Sequence, residues 1–146
     1  MNWIFFIILL FSMIYIFMYI KKLEKLVISQ TGLPLLTKVQ KLQSYCVNQN
    51  NFFICLSIHC SICEKIIREY NKTSNLRNNV FIIFTEDKAE IQKYLKSIDF
   101  RHSENRIIYE LTDEDLLLEV TPFLYELNTK GEVINKAMIN SYKEIA

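Results

Sequence analysis

Glycine and proline are nearly missing: the 146 residues contain two of each. That scarcity excludes glycine-rich phosphate loops, collagen-like sequence and disordered linkers. An excess of either charge is missing too, since 17 basic and 16 acidic residues leave a formal net charge of +1. No large field therefore points to nucleic acid or to an acidic partner. No internal repeat is present. Among the four cysteines, Cys46 and Cys55 stand nine apart and His102 is isolated, so Cys60 and Cys63 lack the two further ligands of a structural zinc site. No metal and no cofactor is expected.

What the chain does have begins at its amino terminus. The run "WIFFIILLFSMIYIFMYI" from Trp3 to Ile20 carries no charge, and its length as a helix, roughly 27 Å, is close to a bilayer's hydrocarbon core. A cleaved signal peptide fits less well, because no Lys or Arg precedes the run and "YIKKLEKL" follows it. A buried core helix is rarely apolar on every face for so long, and Trp3, Tyr15 and Tyr19 sit near the ends, where interfacial aromatics belong. The chain divides into a transmembrane anchor over 1–21, a stalk of helices over 22–49 and one domain over 50–146. Lys21, Lys22 and Lys25 after the span favour a cytoplasmic domain when taken alone.

In the stalk, apolar spacing broken at Gly32 and Pro34 predicts a helix, a turn and a second helix. The domain opens with "FFICLSI" (52–58), an apolar run with aromatic and β-branched residues suited to a central strand. A helix follows, with Ile62, Ile66 and Ile67 expected on one face. "VFIIFTED" (80–87) and residues 88–98 repeat the strand and helix, which implies a parallel pair joined by a crossover. A short strand is expected at 106–111 and a capped helix at 112–120. Two β-rich segments flanking "NTKG" read as a hairpin, and a last helix of about one and a half turns starts at Ser141. The order βαβ, insert, ββα is the thioredoxin-like topology, an α/β fold with a central mixed sheet flanked by helices.

Cys60 falls between the first strand and the helix, so its sulfur should lie near unpaired amides and the positive end of the helix dipole. That place stabilises a thiolate, the attacking species. His59, if protonated, would add to the effect. Cys63 lies one turn on, close enough to form a disulfide. Cys60 is thus the expected nucleophile and Cys63 the resolving thiol. Two inert buried thiols remain the plain alternative, weakened by the strand before and the helix after the pair. Cys55, within the apolar strand, is expected to be an inert core residue. Cys46 is expected to be an exposed thiol or a palmitoylation candidate without a catalytic part.

With Cys60, Cys63 and "VTP" in this order, the domain resembles thioredoxin-like proteins. The resemblance implies that Pro122 is cis, packs beside the cysteine pair and, with Thr121, His59, Ser61 and Ile62, binds the substrate chain. More closely, the stretches "TGLPLL", "FFICLSIHCSICEKI", "VTPFLYELNTKGEVI" and "AMINSYKEI" resemble membrane-anchored TlpA-like proteins, in particular the MauD-like proteins of methylamine dehydrogenase maturation. Departures are visible: no Trp precedes Cys60, the first strand has no buried acid, and Ser61-Ile62 stand between the cysteines. The implied function is exchange of disulfides with an extracytoplasmic protein or peptide, helped by an upstream membrane redox partner. A thioredoxin-like scaffold without catalysis and a peroxide-reducing enzyme are the alternatives. The intact second thiol speaks against the first, and the Cys-x-x-Cys spacing suits disulfide exchange better than the second.

Overall fold

The computed structural model of the chain describes residues 2–74, 77–109 and 111–145. Its first element, α1 (Asn2–Thr31), is one helix of 30 residues, roughly 45 Å long. Within it Trp3–Glu24 is long and apolar enough to cross a membrane, and none of that window is buried against the rest of the chain. The helix continues without a break past residue 21, where Lys21 pairs with Glu24 at 2.9 Å. The side chain of Lys25 lies outside the described residues.

α1 stops at Gly32, whose φ of +66° is left-handed backbone that glycine adopts without a Cβ penalty. Lys136 closes the helix end: its Nζ donates to the carbonyls of Leu33 at 2.9 Å and Gly32 at 3.5 Å, a cation against the negative pole of the helix. The second stalk helix is not formed. Residues 36–38 instead run beside the last strand, with the Leu36 amide donating to the Val133 carbonyl at 2.7 Å and a bridge between Lys38 and Glu132. Only a 3₁₀ segment, Gln40–Tyr45, follows. Its Leu42, together with Leu33, Val39 and Cys46, is buried against the sheet. Cys46 is therefore not an exposed thiol: its Sγ–H donates to the Leu42 carbonyl at 3.2 Å, and burial pushes its pKa up to about 11.

The sheet has the order β3-β2-β1-β4-β5, built from β1 (Asn51–Leu56), β2 (Val80–Phe84), β3 (Ile107–Ile108), β4 (Phe123–Leu127) and β5 (Val133–Met138). β1, β2 and β3 are parallel, β4 runs against them, and β5, antiparallel to β4, returns to their direction. Side chains alternate across a strand, and in β1 and β2 both faces are covered, which is why these strands read as unbroken apolar runs. Ile54, Leu56, Val80, Ile82 and Phe84 face one cluster, which holds the buried side of α2 (Ser61–Lys72) and α3 (Lys88–Ser97). Phe53, Cys55, Ile83, Phe123, Tyr125 and Leu127 face the other, beneath Leu33, Leu42 and Leu116. Cys55 is a core residue, as expected.

Several elements are shorter than their sequence suggests. The strand expected at 106–111 keeps two ladder residues, Ile107 and Ile108; Glu110 lies outside the described residues. The helix expected at 112–120 is one turn, α4 (Asp113–Leu116), opened by a capping box between Thr112 and Asp115. Leu117 turns left-handed at φ +50°, and the Leu118 amide donates back to the Asp113 carbonyl at 3.1 Å, a Schellman-type stop. This stop lets Leu116 and Leu118 both enter the core. The final helix is likewise one 3₁₀ turn, Tyr142–Glu144, tied to α2 by Glu69, whose Oε2 accepts from Ser141 Oγ at 2.7 Å and the Tyr142 amide at 2.8 Å. The hairpin between β4 and β5 turns at Gly131, φ +76°, whose amide donates to the Asn128 carbonyl at 3.0 Å.

Candidate active site

β1 ends at Leu56, and the chain then makes a tight turn: the Cys60 amide donates to the Ser57 carbonyl at 3.3 Å, and the His59 amide donates to Ser57 Oγ at 3.2 Å. This turn delivers Cys60 as the N-cap of α2 in extended geometry, φ −106° and ψ 120°. An N-cap side chain meets the unpaired amides of the first helical turn. Here the acceptor is sulfur: Cys60 Sγ accepts from the Cys63 amide at 3.3 Å.

The third component comes from β4. Because Cys55 pairs with Phe123 in the antiparallel register, the residues just before Phe123 lie opposite the turn that follows β1. Thr121 and Pro122 stand there, joined by a cis peptide bond, and the Cys60 thiol donates to the Thr121 carbonyl at 3.6 Å. Pro122 is buried and Thr121 half-buried.

The two sulfurs are unlike. Cys60 is half-buried and Cys63 buried, both as free thiols. Burial alone raises the Cys60 pKa, but hydrogen bonding from the Cys63 thiol and from the amides of Cys63 and Ile62 outweighs it and holds the group below the ordinary cysteine value. Burial, followed by the thiol contact with Cys60, pushes Cys63 up to about 12. Ionisation is thus made easier at the outer sulfur, Cys60, and harder at Cys63 one turn below it.

The structure joins Cys60, Cys63 and Thr121 by direct contacts. His59, Ser61 and Ile62 form the exposed rim beside them. Ile62 is 43% exposed and so leaves the face that the sequence assigned to it; the buried face of α2 is centred on Cys63, Ile66, Ile67 and Tyr70, and Ile62 lies about a quarter-turn away. Sequence reading missed Glu86, whose Oε1 accepts from the Ile58 amide at 3.0 Å, inside the turn before Cys60. Its one sequence signal is an acid two residues past the end of a buried strand. Among the described residues no group of three His, Cys, Asp or Glu side chains is placed to hold a metal ion.

No protein-family model matches the sequence, and no curated protein matches it. Solved structures do match. The thioredoxin domain of a thiol-disulfide oxidoreductase from Bacteroides vulgatus superimposes with a TM-score of 0.56 at 14% identity, over 77% of this chain and 96% of that one. A thiol:disulfide interchange protein from Bacteroides sp. gives 0.54 at 13% identity, over 80% and 86%. The pneumococcal exposed lipoprotein thioredoxin from Streptococcus pneumoniae gives 0.51 at 14% identity, over 77% and 93%. At such identities the likeness is one of architecture. With the sheet order, the strand-to-helix cysteine pair and the cis proline already in place, the chain has the thioredoxin-like fold behind an apolar N-terminal helix.

Proposed function

We propose that the chain is a thiol-disulfide oxidoreductase, anchored in a membrane by α1 and acting on protein or peptide substrates outside the cytoplasm. The observation that carries this reading is the N-cap geometry: Cys60 Sγ accepts a helix amide at 3.3 Å while Cys63 stays buried one turn on. A thiolate so placed attacks one sulfur of a substrate disulfide. A bond forms between Cys60 and the substrate, the substrate S–S bond breaks, and the departing sulfur takes a proton from solvent. Cys63 then loses its proton and attacks Cys60 Sγ, and the second substrate sulfur leaves and is protonated. The substrate gains two electrons and two protons, and the chain is left with a Cys60–Cys63 disulfide. The reverse sequence oxidises a substrate dithiol, so an upstream membrane redox partner sets the direction.

Substrate contact is assigned to Thr121, Pro122, His59, Ser61 and Ile62, the surface around the exposed side of Cys60. Neighbours of the same fold include a thiol:disulfide interchange protein and an exposed lipoprotein thioredoxin, which supports an extracytoplasmic place for the domain. The resemblance to MauD-like proteins supports an exported protein undergoing maturation as the substrate class. The lysines after the span pull the other way, but they are few, and a tethered redox couple is most useful where cytosolic reductants do not reach its substrates. Equilibration with glutathione redox buffers followed by acid quenching tests the reading. A reversible loss of two protons confined to the peptide holding Cys60 and Cys63 is expected. A pair that stays reduced in every buffer, or pairs with Cys46 or Cys55 instead, would refute it.

A further inference from the structure

We propose that Glu86 is a positioning residue for Cys60, acting through the turn at 57–60. The proposal rests on Cys60 being the attacking thiol. Three observations carry it. First, the Ile58 amide has no place in the sheet, since β1 ends at Leu56, and it donates to Glu86 Oε1 at 3.0 Å. This bond and the internal bonds from the Cys60 and His59 amides to Ser57 hold the turn that leads into the nucleophile. Second, Glu86 is itself held: Asp87 caps α3 by accepting from the Ala89 amide at 3.1 Å, and Phe84 is buried two residues before Glu86. The carboxylate therefore hangs between a fixed strand end and a fixed helix start. Third, its other oxygen, Oε2, is buried and has no hydrogen-bond partner among the described residues. A buried unpaired oxygen is costly, so this glutamate is placed at some expense to the fold. The sequence has no acid inside β1, and the structure brings this one to the site from the neighbouring strand's end.

The position of Cys60 matters because its sulfur accepts from the Cys63 amide at 3.3 Å and is further favoured as a thiolate by the Ile62 amide. Among the described residues the titratable group in contact with it is Cys63 on α2; the segment before β4 presents the Thr121 carbonyl, and the turn contributes the exposed His59. A loosened turn lets Cys60 drift off those amides, and its titration midpoint then rises. Removing a nearby negative charge would do the opposite. The two roles are separated by sign.

The test uses the full chain in detergent micelles. Alkylation rate against pH is measured at Cys60, the one cysteine of the four that is partly exposed, with the modified peptide identified by mass spectrometry. Glu86→Met keeps the volume and removes the acceptor, Glu86→Ala is the second version should the first fail to fold, and Glu86→Gln keeps an acceptor for the Ile58 amide. The expected result is a midpoint raised by about one unit in the Met or Ala variant, so roughly tenfold slower alkylation below it, with Gln close to wild type. A lower midpoint in all three would assign Glu86 a charge effect and overturn the positioning role. An unchanged midpoint with lower thermal stability would make Glu86 purely structural and overturn it as well. A wild-type midpoint at the ordinary cysteine value would remove the nucleophile assignment itself, whereas a depressed wild-type midpoint that Glu86 variants leave unmoved removes only this proposal.

Discussion

Gly32→Ala should be among the most damaging single substitutions in the chain, although it adds one methyl group. Two costs combine. The left-handed backbone at φ +66° disfavours any residue with a Cβ by about 1–2 kcal/mol. The new Cβ also collides with the Tyr125 hydroxyl, which accepts from the Leu33 amide at 2.8 Å and donates to the Leu116 carbonyl at 2.8 Å. If Tyr125 is displaced, two buried backbone groups lose their partner, at about 1–3 kcal/mol each. The total is about 3–8 kcal/mol, comparable with the whole stability of a small domain. Tyr125→Phe makes the reasoning testable, because it removes the hydroxyl and hence both the hydrogen bonds and the collision. Once Phe is present, the remaining close neighbours of the Cβ are the ring Cζ at 3.0 Å and Leu118 Cδ2 at 3.1 Å, tight contacts that a small side-chain shift relieves, and adding Gly32→Ala should cost little beyond the backbone share. Urea unfolding of the two single variants and the double variant in detergent, followed by near-ultraviolet circular dichroism, gives the three free energies. The double variant should be more stable than the sum predicts by at least about 2 kcal/mol. Additivity within about 0.5 kcal/mol would refute the account, since it would mean that the methyl group and the hydroxyl do not meet.

Three further outcomes follow from the thiols and the anchor. The dithiol protein should lose stability as pH climbs from about 9 towards 12: the folded-state pKa of Cys63 is raised by burial to about 12 and that of Cys46 to about 11, so the unfolded chain releases protons first and is favoured at high pH. Alkaline denaturation monitored at several urea concentrations would show it, and a stability flat through that window would contradict the burial of these groups. Cys46 should resist a maleimide reagent in the folded chain and react only after denaturant is added; prompt labelling at neutral pH would contradict its contact with Leu42. In intact spheroplasts, a membrane-impermeant thiol reagent applied after mild reduction should label Cys60, while labelling only after lysis would place the domain inside.

The parallel pair was legible because β1 and β2 are buried on both faces, so Phe53 and Cys55 serve one cluster while Ile54 and Leu56 serve the other. The cysteine site was legible for a local reason: a helix start is encoded next to the strand end that precedes it. What escaped depends on contacts distant in sequence. The stretch after Pro34 has helical spacing, yet its backbone pairs with Val133 and its apolar side chains settle on the sheet, which no periodicity reveals. Cys46 looked polar in its neighbourhood and is buried by that same docking. Leu116 and Leu118 are two apart and both buried, so the chain breaks helix between them. Glu86 is separated from Ile58 by 28 positions, and only the parallel register brings them together.

The central claim is that Cys60 attacks and Cys63 resolves. The most direct measurement replaces Cys63 with Ser in the full chain, in its own membrane, and looks for a covalent partner under non-reducing conditions. The account predicts a mixed disulfide through Cys60 that builds up in Cys63→Ser, dissolves with reductant, and is missing from Cys60→Ser and from the double variant. A Cys63→Ser chain that captures no partner through Cys60, while keeping its fold, would contradict it.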